Sequence, residues 1–140
     1  MLDLHNKRDA HIDQRLRNEP IIWFSTARPD GRPHLVPVWF FWDGSTVLIF
    51  SQPDNQKIRN LRHNPAVMLA LEAANQGDDI VMFEGVATLL NDPTLKVMQP
   101  AYAEKYDALL KRMGTTATQM AASYSQPIRI TPTRFIAWGA

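Results

Sequence analysis

The chain has 140 residues, of which 45% are hydrophobic and 21% charged, and it carries 15 Lys and Arg against 14 Asp and Glu. This is the composition of an ordinary globular protein, so we expect a single domain spanning residues 1–140. The near-zero net charge argues against a nucleic-acid partner, and the lack of cysteine excludes disulfides, thiolate metal sites and a cysteine nucleophile.

The sequence predicts neither a membrane-spanning protein nor a secreted one. No uninterrupted apolar segment reaches the length of a membrane span, and charges occupy the N-terminus where a signal peptide needs an apolar stretch. We therefore expect a cytoplasmic protein without a membrane partner. The four histidines fall in different predicted elements and lack the spacing of a zinc site, so no metal is expected.

The pattern of apolar and turn-forming residues predicts six strands. A short helix is expected first, over residues 8–18, with Ile12 and Leu16 on one face. The predicted strands are 20–27, 34–42, 46–51, 66–73, 80–90 and 128–138. Hairpin signals join several of them, which favours a mainly β fold, a small β-barrel with peripheral helices, over a regular alternation of strands and helices.

A further helix is predicted between the last two strands. It begins at Asp92 and Pro93, a capping residue followed by proline at the first helical position. Pro100 is expected to kink or divide this helix, and Gly114 to end it. An apolar stripe along one face indicates a core or dimer contact and consists of Leu95, Met98, Tyr102, Tyr106, Leu109 and Met113.

Residues 46–65 carry the strongest indication of function. A buried strand ends at Ser51 and leads into a basic helix at 55–63, which Asp54 or Asn55 can cap and whose first turn carries Lys57. The N–H groups of a first helical turn, a hydroxyl and an ammonium together suit a phosphate. The alternative is a surface helix whose basic side chains are simply solvated.

Two residues predict irregularities inside strands. Pro37 lies within strand 34–42 and cannot donate a ladder hydrogen bond, so this strand must lie at an edge or be irregular there. The peptide groups left free can meet the rim of a flat heterocycle; the alternative is a bulge at a barrel corner with no ligand. Gly85, within strand 80–90, indicates a bulge rather than a phosphate loop.

Four segments in fixed order resemble a known family. They are residues 26–40 (TARPDGRPHLVPVWF), 57–67 (KIRNLRHNPAV), 83–87 (FEGVA) and 132–139 (PTRFIAWG). Together they resemble the flavin-binding split β-barrels, the pyridoxamine 5′-phosphate oxidase-like proteins, and among these the flavin and deazaflavin oxidoreductases. The resemblance covers about residues 18–139.

The resemblance implies a six-stranded split β-barrel that forms a homodimer, with two cofactors in clefts at the subunit interface. It implies an oxidoreductase that passes hydride or electrons between a small organic substrate and either FMN or coenzyme F420, an 8-hydroxy-5-deazaflavin, with F420 favoured. The expected cofactor-binding residues are Val36, Pro37, Val38 and Trp39 along the ring, and Ser51, Gln52, Asn55, Gln56, Lys57 and Arg62 around the phosphate. No catalytic acid or base is expected, because the ring carries the chemistry.

Other functions stay open at this point. Pyridoxamine phosphate oxidases grip the substrate phosphate with an arginine and a histidine beyond the tryptophan of the last strand, and no such pair follows Trp138. Vitamin B6 oxidation is therefore the less favoured activity, although it remains an alternative. The main alternative is a non-catalytic protein that carries, stores or senses FMN, deazaflavin or haem. An interaction domain without a cofactor is another.

Overall fold

The computed structural model describes residues 1–91 and 100–139. Its strands form one antiparallel sheet of seven strands in the order β2-β1-β5-β6-β7-β4-β3. The strands are β1 (Ile22–Ala27), β2 (Pro33–Val38), β3 (Phe41–Trp42), β4 (Val47–Ser51), β5 (Ala66–Leu71), β6 (Ile80–Leu89) and β7 (Gln126–Trp138). The prediction of a mainly β fold is confirmed.

Helices lie around this sheet. They are α1 (Lys7–Asn18), α2 (Gln56–His63), α3 (Pro100–Lys105), α4 (Asp107–Met113) and α5 (Ala117–Ser123), with a 3₁₀ turn at Asn75–Gly77. Within the described ranges, no helix has both the length and the apolar character needed to cross a membrane.

The prediction of six strands is wrong, because the predicted strand 34–42 forms two strands. β2 lies at one edge of the sheet beside β1, whereas β3 lies at the other edge beside β4. Trp39 and Phe40 carry the chain from one edge to the other. The Tyr106 hydroxyl accepts a hydrogen bond from Phe40 N–H at 2.9 Å, and Lys105 Nζ donates to Phe40 O at 2.9 Å. These side chains replace the neighbouring strand that the Phe40 peptide groups would otherwise need.

Helix α1 is anchored over β3 by apolar and polar contacts. Ile12 and Leu16 are fully buried, as predicted from their spacing. The Trp42 indole N–H donates to one oxygen of the Asp13 carboxylate at 2.8 Å, and Arg17 Nε donates to the other at 2.8 Å. Burial works to raise the pKa of Asp13, but the hydrogen bonds from Arg17 and Trp42 outweigh it and hold that pKa below its usual value.

Strand β4 separates two hydrophobic clusters, which is why all of its residues are buried. Val47 and Ile49 face the main core, which the sheet shares with α1 and α2. Leu48 and Phe50 face a second cluster, under helices α3–α5. The buried members of this second cluster are Leu48, Phe50, Tyr102, Tyr106, Leu110 and Ala121.

The helical region differs from the prediction in two ways. The residues before Pro100 lie outside the described ranges, so the kink or division expected at Pro100 stays a prediction; the chain also leaves helical geometry at Tyr106, between α3 and α4. Gly114 ends α4 in the left-handed conformation, with φ 74°, as predicted. Helix α5 was not predicted, although the capping box of Thr116 and Gln119 indicates its start. The predicted helix start at Asp92 and Pro93, with Leu95 and Met98, lies outside the described residues.

The bulge predicted at Gly85 is confirmed by a register shift between Glu84 and Gly85 against β7. A Cβ atom at Gly85 would lie 2.9 Å from Thr131 O and 3.0 Å from Ile130 Cγ2. The neighbouring backbone therefore leaves no room for a side chain at this position.

Candidate functional site

A cavity of about 580 Å³ lies where β2, the β4–α2 connection and helices α3–α5 meet. It brings together most of the residues predicted from the sequence, namely Val36, Pro37, Val38, Trp39, Gln52, Asn55 and Lys57. The remaining lining residues were not predicted as site residues and are Ile21, Phe50, Tyr102, Met113, Met120 and Tyr124.

Ser51 was predicted to touch a ligand, but it is fully buried and does not line the cavity. Its hydroxyl donates to Gln52 O at 2.8 Å and accepts a hydrogen bond from Asn55 Nδ2 at 3.1 Å. The Asn55 side-chain oxygen in turn accepts from Ile58 N–H and caps α2. Ser51 thus orients Asn55, which does face the cavity.

Gln56 and Arg62 also lie away from the cavity lining. Gln56 Nε2 donates to Asn60 Oδ1 at 2.8 Å, and this bond turns the amide along the helix. Arg62 pairs with the Asp54 carboxylate at 2.8 Å, with both side chains more than half exposed. The structure therefore places these two predicted residues on the neighbouring surface of α2.

Lys57 is the one charged residue that lines the cavity in the described part of the chain. Its side chain is half-buried, and burial lowers its pKa because the ammonium loses hydration. It forms no ion pair with any residue in the described ranges. An anion beside Lys57 would compensate the hydration that the buried ammonium loses.

His34 does not line the cavity but lies close enough to Lys57 to feel its charge. Residues alternate across a strand, so it shares a face of β2 with the lining residues Val36 and Val38. Burial lowers the pKa of His34, and the positive charges of Arg28 and Lys57 lower it further. Its Nδ1 atom is buried and has no hydrogen-bond partner within the described ranges. Sequence reasoning considered His34 only as a metal ligand, although the alternation along β2 indicates this placement.

No metal site accompanies these basic groups: within residues 1–91 and 100–139, no cluster of His, Asp and Glu could hold an ion. A second group of cavity residues is aromatic. Trp39 stacks on Tyr106 with 4.4 Å between ring centroids and 3° between planes. Phe50 and Tyr102 meet edge to face at 5.0 Å. The cavity lining thus combines a cationic, amide-bearing group of residues with an apolar group.

A family model described as pyridoxamine 5′-phosphate oxidase matches residues 9–139. The chain belongs to the pyridoxamine 5′-phosphate oxidase family. The resemblance deduced from the four segments is therefore confirmed, and the family is one of flavin-binding split barrels that includes oxidoreductases. No curated protein matches the sequence.

Solved structures agree with this assignment. A conserved hypothetical protein from Mycobacterium tuberculosis is 28% identical, with a TM-score of 0.76, over 92% of this chain and 82% of that one. A protein described as an F420 reductase is 26% identical, with a TM-score of 0.64, over 88% of this chain and 94% of that one. The haem storage protein HutZ from Vibrio cholerae covers 93% of this chain and 92% of its own, with a TM-score of 0.61. At 15% identity it shows the fold alone.

Proposed function

We propose that this protein is an oxidoreductase that holds coenzyme F420 or FMN in the cavity and passes hydride or electrons between it and a small organic substrate. The observation that carries the proposal is Lys57, a half-buried ammonium at the polar end of the cavity with no ion-pair partner in the described ranges. A cofactor phosphate satisfies this ammonium with a charge-assisted hydrogen bond.

The residues around Lys57 fit a phosphorylated ring. Gln52 and Asn55 line the cavity close to it in the chain and offer amide donors. The orphaned Nδ1 of His34 adds a polar atom near the same end. Because β2 is an edge strand, the side turned away from β1 keeps peptide groups for a heterocycle, except at Pro37.

When bound, a flavin-type ring supplies the redox chemistry itself. The chain would bind and orient it: Lys57 would hold the phosphate, and the strand from Val36 to Trp39 would lie along the ring. The aromatic end excludes water. No carboxylate or histidine is among the lining residues in the described part of the chain, so we assign no side chain to proton transfer.

We favour F420 over FMN as the cofactor. The 26% identity to an F420 reductase, over 88% of this chain, supports this choice. Arg28 adds a second positive charge near Lys57, as the lowered pKa of His34 reflects, and suits the acidic tail of that coenzyme. FMN has the same ring shape and a corresponding phosphate, and we propose it as the second cofactor.

We also propose that the working unit is a homodimer with the cofactor cleft between subunits. Leu35 and Val86 support this, because they remain 59% and 43% exposed although both are aliphatic strand residues. A shallow hollow beside Val86, lined by β1, β5 and β6 residues, offers a second surface for contact. Covering such surfaces and open sheet edges is a common reason for dimerisation.

A carrier that binds the same cofactor without turnover is the second candidate. The described cavity lining fits it equally well, because binding alone needs no acid or base. Pyridoxamine phosphate oxidation is less well supported. Its substrate brings a second phosphate, and Lys57 is the one cation that lines the described cavity.

Titration with F420 and FMN, followed by cofactor fluorescence, tests the proposal. An oxidoreductase binds one of them, and the reduced, bound cofactor is reoxidised by added dichlorophenolindophenol faster than the same cofactor free in solution. Binding without this acceleration identifies a carrier. If neither F420 nor FMN binds, both the oxidoreductase and the carrier are contradicted.

A further inference from the structure

Lys57 and His34 lie on either side of the contact between α2 and β1. Asn60 Nδ2, on α2, donates to Thr26 Oγ1, on β1, at 2.9 Å, and both side chains are buried. Lys57 lies three residues before Asn60 and therefore on the same face of α2. Thr26 pairs directly with His34 across β1 and β2, so their side chains share a face of the sheet. The helix contact thus brings the ammonium close to the imidazole, and the two groups repel when both are charged.

The surroundings of His34 favour its neutral form when no anion is bound. Burial lowers its pKa, and two positive charges lower it further, those of Arg28, directly after β1, and of Lys57, on α2. Arg32, two residues before His34, is paired with Asp30. The Nδ1 atom of the imidazole is buried and has no hydrogen-bond partner in the described ranges. The imidazole is therefore mainly uncharged at neutral pH.

A phosphate bound beside Lys57 would reverse the sign of the charge at that position. A phosphate monoester such as that of FMN carries about two negative charges above pH 7, so its pair with a single ammonium is net negative. A neighbouring negative charge favours the protonated form of a histidine. Protonation places a hydrogen on both ring nitrogens, so the buried Nδ1 then has a proton to donate.

We infer that phosphate binding beside Lys57 is coupled to the uptake of one proton by His34. The proton comes from solvent and takes no part in the redox step. The inference rests on the proposed function, because that function seats the cofactor phosphate beside Lys57. It goes beyond that function by giving a role to a residue behind the cavity lining and by making cofactor affinity depend on pH.

Calorimetric titration of the protein with FMN, in phosphate-free buffers of different ionisation enthalpy, counts the protons taken up on binding. FMN should bind with net proton uptake above pH 7, whereas riboflavin, which has the same ring and no phosphate, should not. Affinity for FMN should fall as the pH rises from 7 to 8, by at most about tenfold, the limit for uptake of one proton.

Two histidine variants identify the group that takes up the proton. His34→Gln keeps a polar side chain that does not titrate, so it should abolish the uptake and flatten the pH dependence. His63→Gln is the matched control, because His63 is an exposed histidine at the last position of α2. Both variants retain Lys57, whose pKa is also lowered by burial. An uptake that persists in His34→Gln therefore belongs to another group and overturns the inference.

NMR titration of the wild-type imidazoles tests the coupling without a variant. The pKa of His34 should rise when FMN is added and stay unchanged with riboflavin. If it stays unchanged with bound FMN, the inference is overturned and the proposed function stands. F420 replaces FMN if only F420 binds. If neither binds, the proposed function fails, and inorganic phosphate serves as the probe: a rise in the pKa of His34 supports the coupling, and an unchanged value overturns it.

Discussion

The phenol oxygen of Tyr106 accepts a hydrogen bond from Phe40 N–H at 2.9 Å, at the point where the chain crosses from β2 to β3. The same hydroxyl donates to Pro20 O at 2.6 Å. Its ring stacks on Trp39, which lines the cavity. A residue between two peripheral helices therefore holds both the connection between the sheet edges and one wall of the candidate site.

Replacement of Tyr106 by phenylalanine should destabilise the fold. Tyr106→Phe keeps the ring on Trp39 but leaves Phe40 N–H and Pro20 O without this partner, which costs about 1–3 kcal/mol. Urea denaturation measures the loss. Tyr124→Phe is the control, because the Tyr124 hydroxyl has no hydrogen bond in the described ranges; an equal loss in both variants would contradict the assignment.

Lys57 should contribute strongly to cofactor affinity. Lys57→Met keeps the aliphatic stem and removes the ammonium, and we expect the dissociation constant to rise about ten- to a hundredfold, the effect of one charge-assisted hydrogen bond. Fluorescence titration measures it. The control is Lys111→Met, at an exposed residue paired with Asp107. An unchanged constant with an intact fold removes Lys57 from the site.

Lys105 should make stability depend on pH. Its Nζ lies 3.7 Å from the centroid of the Phe40 ring, and burial lowers its pKa from 10.5 to about 8, while Glu19 acts in the opposite direction. Between these values the unfolded chain binds the proton and the folded chain does not, so stability rises with pH from about 8 to 10.5 and is lower below this window.

Thermal unfolding of wild type and Lys105→Met between pH 7 and 10 measures this effect. The melting temperature of the wild type should rise relative to the variant as the pH passes 8. Burial raises the pKa of Tyr102 and Tyr106, so their ionisation in the unfolded chain lowers stability above about pH 10, and the comparison stops there. Parallel curves would show that Lys105 remains charged.

The protein should be a dimer at micromolar concentration. Light scattering is expected to give twice the monomer mass. Leu35→Arg and Val86→Arg place charges on exposed aliphatic positions and should both shift the protein towards monomer and weaken cofactor binding. Leu4→Arg, at the exposed N-terminus, should do neither. A wild-type protein that is only monomeric excludes the two-subunit cleft.

Affinity for F420 should fall with added salt more steeply than affinity for FMN, because only F420 carries an acidic tail. Three arginines of the β1–β2 turn and α2 are already held by neighbouring groups: Arg32, Arg59 and Arg62. Arg28 forms no ion pair in the described ranges, so Arg28→Gln should flatten the F420 slope and Arg32→Gln should not. Each exposed pairing is worth about 1 kcal/mol at most. If FMN binds as tightly with the same slope, FMN is the cofactor.

Features that depend on neighbours in the chain could be predicted from the sequence. Asn55 caps α2, Gly114 ends α4 and Gly85 marks a bulge, because each of these needs only a side chain or a dihedral angle at that position. The four segments in fixed order also identified the family. The cavity residues of β2 and of the region from β4 into α2 were likewise predicted from the sequence.

Features that depend on distant segments were decided by the tertiary structure. Residues 34–42 are apolar enough for one strand, yet Tyr106 and Lys105 satisfy Phe40 and allow the chain to change edges. Every residue of β4 is buried, so its sequence does not show that Ser51 turns inward while Phe50 faces the cavity. The cavity residues Tyr102, Met113 and Met120 belong to α3–α5. Only the packing of these helices against β4 brings them into the same cavity as Lys57. Local pattern fixes an element, whereas burial and hydrogen-bond satisfaction between elements fix where it faces.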